Sequence, residues 1–201
     1  MVGEGDTTAT TTDDAEWIPG TRRRVLDTAV SLFGRYSVAG TSLQMIADEL
    51  GLTKAAIYYH FRTRDQLLLA LMEPIFTEIA GVVAVAEQQP DAASRADAML
   101  TGYADIVTRH RTLAAVTTFD PSVRSVLVSH PQWSGVIDRQ MALLADIEPE
   151  PSDGVTASVA LTGVAGGAST ASHRIDDETL RAQLIAAGRR ILGLPHPSSR
   201  S

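Results

Sequence analysis

The residues best suited to chemistry lie in one short window, 41–68. Thr41, Ser42, Gln44, Thr53, Lys54, Tyr58, Tyr59, His60 and Arg64 there gather hydroxyl, amide, phenol, imidazole and cationic groups. Their spacing builds no known catalytic constellation. The histidines, His60, His110, His130, His173 and His196, show neither His-x-x-His nor His-Glu-x-x-His. The chain has no phosphate-cradling P-loop and no Gly-x-Ser-x-Gly, and Gly163-Val-Ala-Gly-Gly has no strand before it. What the group can do is donate and accept hydrogen bonds on a polyanion. Thr41, Ser42 and Thr53 stand at helix starts, where free N–H groups and the dipole favour phosphate. Lys54 can meet phosphate or the O6 and N7 of guanine, and Gln44 can reach a base or a phosphate. Small Ala55 and Ala56 admit the backbone to base edges and thymine methyls, while Tyr58, Tyr59 and His60 can bond phosphates. Lys54 is the only lysine; all other Lys/Arg positions are arginine.

Local signals position these groups. Ser42 is an N-cap, and Leu43, Ile46, Ala47 and Leu50 form one apolar stripe on a short helix that Gly51 ends. Thr53 caps a third helix, 54–61, whose inward residues Ile57 and Phe61 are four apart and leave residues 54–56 and 58–60 near or on the outer side. Two short helices joined by a glycine-containing turn make a helix-turn-helix. Before them, Thr21 can cap a helix in which Val25, Leu26, Ala29, Leu32 and Phe33 recur to about Tyr36, with Gly40 closing the element. Arg22, Arg23 and Arg24 read as a solvated helix start or as phosphate contacts. After Thr63, a further cap, a long helix runs through Leu67, Leu68, Leu71, Ile75, Ile79, Val82 and Val83, with a kink or break expected at Pro74. Tyr58 as a packed aromatic and His60 as an end cap are the rival readings of those two side chains.

The window resembles the DNA-binding domain of TetR-family transcriptional regulators, with its A-x-x-L-G-[VL]-[ST]-x-x-x-[LI]-Y-x-[HY]-F run. Ala47, Leu50, Gly51, Leu52, Thr53, Ile57, Tyr58, His60, Phe61, Arg64 and Leu67 carry the match, within about residues 21–71. The resemblance implies a regulator, a repressor in this reading, that binds a double-stranded palindromic operator as a homodimer and answers to a small-molecule effector. In the family the position of Arg64 is commonly a phosphate-binding lysine, and arginine keeps the charge here.

Composition sets the bounds. At 44% apolar and 20% charged, 201 residues suit one average domain or a small domain continuous with a larger one, and zero cysteine excludes disulfides and thiolate chemistry. The net charge of −7 is uneven: residues 21–65 carry +3 between segments of −5 each, a basic island in an acidic chain. No apolar run approaches the roughly 18–20 residues of a membrane span, so a cytoplasmic protein with no membrane partner is expected. Abundant Ala and Leu without strand signals predict an all-α fold. Its parts are a disordered acidic tail (1–20), a helix-turn-helix head (21–66), a helical ligand-binding and dimerisation body (67–194) and a disordered tail (195–201).

In that body a helix follows Asp91, short pieces broken at Asp120–Pro121 and His130–Pro131 lead to a helix over 132–146, and 148–154 is a loop. Helices over 155–173 and from Asp176 or Asp177 onward follow. Asp97 and Asp105 read as solvated acids. Candidate pocket residues are Met99, Tyr103, Val107, Phe119, Trp133, Ile137, Gln140 and Met141, with Gln140 as polar anchor because a buried amide requires partners. Gly163 and Gly167, with Leu180, Leu184 and Ile191, are candidates for a symmetric interface; a tight pairing inside one chain is the rival reading. No motif asks for a cofactor or metal. The alternative function is a helical small-molecule-binding protein or enzyme whose helix-turn-helix serves a protein partner.

Overall fold

The computed structural model describes residues 20–147, 154–171 and 174–195, and all regular structure among them is helical. The predicted N-terminal tail apart from Gly20, the loop at 148–154 apart from Gly154, and the C-terminal tail beyond Pro195 lie outside the described residues.

Three helices form the head. The first, α1 (Thr21–Gly40), begins behind Gly20 rather than under a Thr21 cap: Gly20 is the N-cap, and Thr21 is buried in the first turn. Its regular course breaks at Ser37, which has φ 64° and ψ 168°. The second, α2 (Leu43–Leu50), is capped by Ser42, whose Oγ accepts from the Met45 amide at 3.1 Å. It ends at Gly51 with φ 65°, a left-handed turn that glycine enters without steric cost. The third, α3 (Lys54–His60), is capped by Thr53, whose Oγ1 accepts from the Ala56 amide at 3.2 Å. Val25, Ala29, Phe33, Ile46, Ala47, Ile57 and Phe61 are buried.

Thr63 starts α4 (Arg64–Glu87), its hydroxyl accepting from Gln66 N at 3.1 Å. The expected break at Pro74 does not occur, and the helix runs through it. Pro74 is exposed, so the carbonyl that loses its donor one turn back can turn to water instead of breaking the helix. By length and composition alone α4 is apolar enough to cross a membrane. In the fold it packs on α5 and α8 and buries Leu67, Leu68, Met72, Phe76 and Val83, while Glu78 pairs with Arg109 and His110.

The body is completed by α5 (Ala92–Arg109), α6 (Arg111–Thr117), α7 (Pro121–Ser129), α8 (Pro131–Ala145), α9 (Val155–Thr170) and α10 (Asp177–Leu192). Asp91, Asp120 and Asp176 cap α5, α7 and α10, and Pro121 and Pro131 occupy first-turn positions where a missing N–H does no harm. At the centre, α5 packs on α4, α8, α9 and α10. Its acids are engaged rather than simply solvated. Asp97 takes a two-pronged pair from Arg189 at 2.6 and 2.9 Å, and Asp105 pairs with Arg109 and Arg181.

Two close approaches fix α5. A Cβ on Gly188 of α10 would collide with Leu100, and one on Gly102 would collide with Val82 of α4. Leu100 is fully buried and has nowhere to retreat. Gly188→Ala is therefore expected to lower stability by about 1–2 kcal/mol despite alanine's better helix propensity. Gly81→Ala, at an exposed site with open space around it, should raise stability by about 0.5–1 kcal/mol. Urea unfolding of the two variants checks both signs.

Candidate nucleic-acid interface and helical cavity

The head turns one face of α3 outward. Ile57 is fully buried and Phe61 nearly so, which leaves Lys54, Ala55, Tyr58 and Tyr59 exposed and Ala56 and His60 half-buried. Tyr58 is 41% and Tyr59 67% exposed, so Tyr58 is not a packed core aromatic. Lys54 Nζ lies 5.4 Å from the Tyr58 ring centroid, an i, i+4 cation–π contact, and Tyr59 meets His60 edge to face at 5.2 Å. Ser42 and Thr53 are exposed with their hydroxyls turned to their own helix starts. Gln44 is exposed, and its Nε2 donates to Asp48 at 2.7 Å.

Two predicted contacts change character. Thr41 is 2% exposed and its hydroxyl donates to the Ser37 carbonyl at 2.8 Å, so burial withdraws that side chain from the outer face. Arg64 Nη1 donates to the Ala39 carbonyl at 2.6 Å, and its buried Nε has no partner. This guanidinium ties α4 to the end of α1 before it can do anything else. Arg62, absent from the sequence-based set, is exposed between α3 and α4, and its side chain makes no ion pair among the described residues. Its place beside the His60–Phe61 pair was the available signal.

The interface candidates on α9 and α10 pack partly against each other within the chain. Leu180 and Leu184 are buried, and a Cβ on Gly167 would come within 2.8 Å of Leu184 Cδ2. That is a close intrachain pairing, and the same three residues also line an open groove between α9 and α10. Gly163 and Ile191 remain exposed, beside Val155 and Val159.

A cavity of about 400 Å³ lies in the body, bounded by α4 to α9. Tyr103, Val107, Ile137, Gln140 and Met141 line it, five of the predicted set. The other three do not. Met99 is fully buried core, Phe119 is 64% exposed with its ring against Gly166, and Trp133 is buried, stacked on Phe76 at 4.6 Å. A helical stripe cannot tell a neighbour from a void, which is why Phe76, Thr117, His110 and Asp120 went unread. Gln140 is 5% exposed and its Nε2 has no partner. Burial pushes the Tyr103 phenol up to about 12, so it stays protonated.

Asp120 connects this cavity to the head. It lines the wall, and its Oδ1 accepts from the Ser122 amide and hydroxyl at 2.9 and 2.6 Å, capping α7. Its Oδ2 accepts from the Val38 amide of α1 at 2.9 Å. Burial works to raise its pKa, but hydrogen bonds from Ser122, Val38 and Val123 outweigh that and hold the carboxyl below its usual range. Beside it, α6 packs on both α1 and α9. Among the described residues, no three of His, Cys, Asp and Glu gather as a metal site.

Residues 25–71 match the family model for bacterial regulatory proteins of the tetR family. That segment of the chain is of the tetR family. The segment is 42% identical over 53 residues to the HTH-type transcriptional regulator AcrR of Shigella flexneri, covering 26% of this chain and 25% of that protein. It is 38% identical over 52 residues to the uncharacterized HTH-type transcriptional regulator YerO of Bacillus subtilis, covering 26% and 18%. The chain thus spans a quarter or less of the length of these curated relatives. The likeness in fold extends further: AmtR of Mycobacterium smegmatis superposes with a TM-score of 0.65 over 90% of this chain and 91% of that one, at 23% identity.

The joint between the tetR-family segment and the body is strained. Ser37 sits in a region of φ,ψ that is essentially reserved for glycine and costs other residues about 1–3 kcal/mol. Ser37→Gly is expected to raise stability by about 1 kcal/mol in urea unfolding. Asp120→Ala removes a cap and the Val38 bond together and is expected to cost about 2 kcal/mol. Because its folded pKa is lowered, Asp120 stabilises above the usual carboxyl range and loses that contribution as pH falls through the lowered value. The variant's acid-unfolding limb should therefore be shallower than the parent's, as measured by circular dichroism across pH.

Proposed function

We propose that the chain is a ligand-responsive homodimeric transcriptional regulator, a repressor that binds a palindromic operator through the major groove and leaves it when a small-molecule effector fills the body. The observation that carries this reading is the outer face of α3. Lys54, Ala55, Tyr58 and Tyr59 stand exposed on a helix whose back is locked by Ile57 and Phe61, the geometry that a groove-reading helix needs. Lys54 and Arg62 supply the phosphate attraction, with Arg64 holding α4 to α1 at their base.

Effector response is supported by the placement of the cavity. Ala114, Thr117 and Thr118 reach it from α6, the helix on which α1 rests, and Asp120 serves the cavity wall and the Val38 amide at once. An occupant that favours one position of α6 and α7 biases the head by that difference in affinity. For pairing, the outer surface of α9 and α10 offers Gly163 and Ile191 with Val155 and Val159, an apolar strip on which a two-fold contact can form. Two copies place two heads on half-sites about one helical turn apart, roughly 34–36 Å.

Selection from a random duplex pool is expected to enrich a palindrome of that spacing. On the enriched duplex, Lys54→Ala and Arg62→Ala should each weaken binding and flatten the plot of log K against log salt by roughly 0.9, one phosphate contact each. Fluorescence anisotropy at several salt concentrations reads both, and unchanged affinity in both variants rejects this docking of α3.

A further inference from the structure

We infer that the cavity takes an uncharged, largely apolar small molecule carrying an acceptor oxygen of the carbonyl class, received by the side-chain amide nitrogen of Gln140. The inference rests on the proposed reading of this cavity as the effector site, and deepens it by naming what fits.

The argument is an accounting of the polar groups on the wall. Four are already committed. Thr117 and Thr118 donate their hydroxyl protons to the carbonyls of Leu113 and Ala114 at 2.8 and 2.7 Å. His110 Nε2 lies 3.0 Å from Glu78 Oε1. Both carboxylate oxygens of Asp120 accept hydrogen bonds, from Ser122 and from Val38. Arg124, Ser158 and Thr162 also border the cavity but are exposed to solvent, which leaves two donors out of bulk water. Gln140 presents a buried Nε2 with no partner, and the half-buried Tyr103 presents a protonated phenol with no hydrogen bond among the described residues. A buried amide N–H without an acceptor is a standing penalty, and an occupant that brings an acceptor removes it.

The rest of the wall selects against charge. Met72, Ile75, Ile79, Ile106, Val107 and Leu127 are typical of it, and ions lose their hydration among such groups. An anionic occupant would share this small space with the Asp120 carboxylate, which stays ionised. Arg124 is the one arginine or lysine on the wall, and it is exposed to solvent at the rim. A cationic occupant would find the Asp120 and Glu78 oxygens already engaged by protein donors. About 400 Å³ lies at the small end of the roughly 300–1,000 Å³ of ligand pockets, so the molecule is compact.

The test is isothermal titration calorimetry of the full chain with two matched probe sets. One is benzophenone, diphenylmethane, diphenylacetate and benzhydrylammonium; the other is 1-tetralone, tetralin, tetralin-1-carboxylate and 1-aminotetralin. Each ketone is expected to bind about tenfold or more tighter than its hydrocarbon and than either ion. In Gln140→Leu, which fills the same space without a donor, that preference over the hydrocarbon should vanish while hydrocarbon binding persists. Gln140→Met repeats the comparison if the leucine variant fails to fold. A hydrocarbon or an ion that binds as tightly as its ketone overturns the ligand class and leaves the cavity reading standing. A ketone preference that survives in both variants overturns the role given to Gln140. If no probe of either set binds, the reading of the cavity as an effector site falls, and the inference with it.

Discussion

A seven-residue helix is not stable by itself in water, since the first turn costs more than so few hydrogen bonds return. Everything the head presents depends on how α3 is held from behind. Ile57 at no exposure and Phe61 at 3% anchor it in the head's core against α2, and the Thr53 hydroxyl satisfies an amide at its open end. The buried pair is spaced four apart, so it also fixes the helix's rotation, which settles which side chains look outward. Arg22 above the Phe61 ring at 5.3 Å closes the same small core from the α1 side.

Head and body then meet through few contacts, and those contacts have two owners. Asp120 caps α7, lines the cavity and holds Val38; α6 carries threonines to the cavity and supports α1. The strained Ser37 stands next to the bonded amide, so the joint combines a conformational cost with the hydrogen bond that offsets it.

Much of the fold was legible because caps and stripes are local chemistry. Ser42, Thr53 and Thr63 each bond the amide three residues on, as their types and positions predicted; Asp91, read only as a helix boundary, does the same, and of Asp176 and Asp177 it is Asp176 that caps α10. Thr21 failed as a cap because Gly20 already occupied that position, and Pro74 failed as a break because its ring faces solvent. Gln140 was legible as an odd polar member of an apolar stripe, and its unpaired amide is the outcome. Tertiary choices were not legible. Met99 and Met141 have the same chemistry, yet one faces α5's neighbours and the other a void. Gly167 could equally have met a second chain; Leu184 of its own chain fills the space. No property of the single residue decides between such outcomes.

The close approaches at Gly102 and Gly188 have a mechanical meaning. With Val82 seated on one and Leu100 on the other, α5 is clamped between α4 and α10 by contacts that tolerate no sliding, and the Asp97–Arg189 pair bolts the same joint. By contrast α6 and α7 bury one residue each, Thr117 and Val123. Stiffness is therefore divided unequally around the cavity. The long helices α4, α5, α8 and α9 frame it, and the short α6 and α7 form its lightly packed side, next to α1.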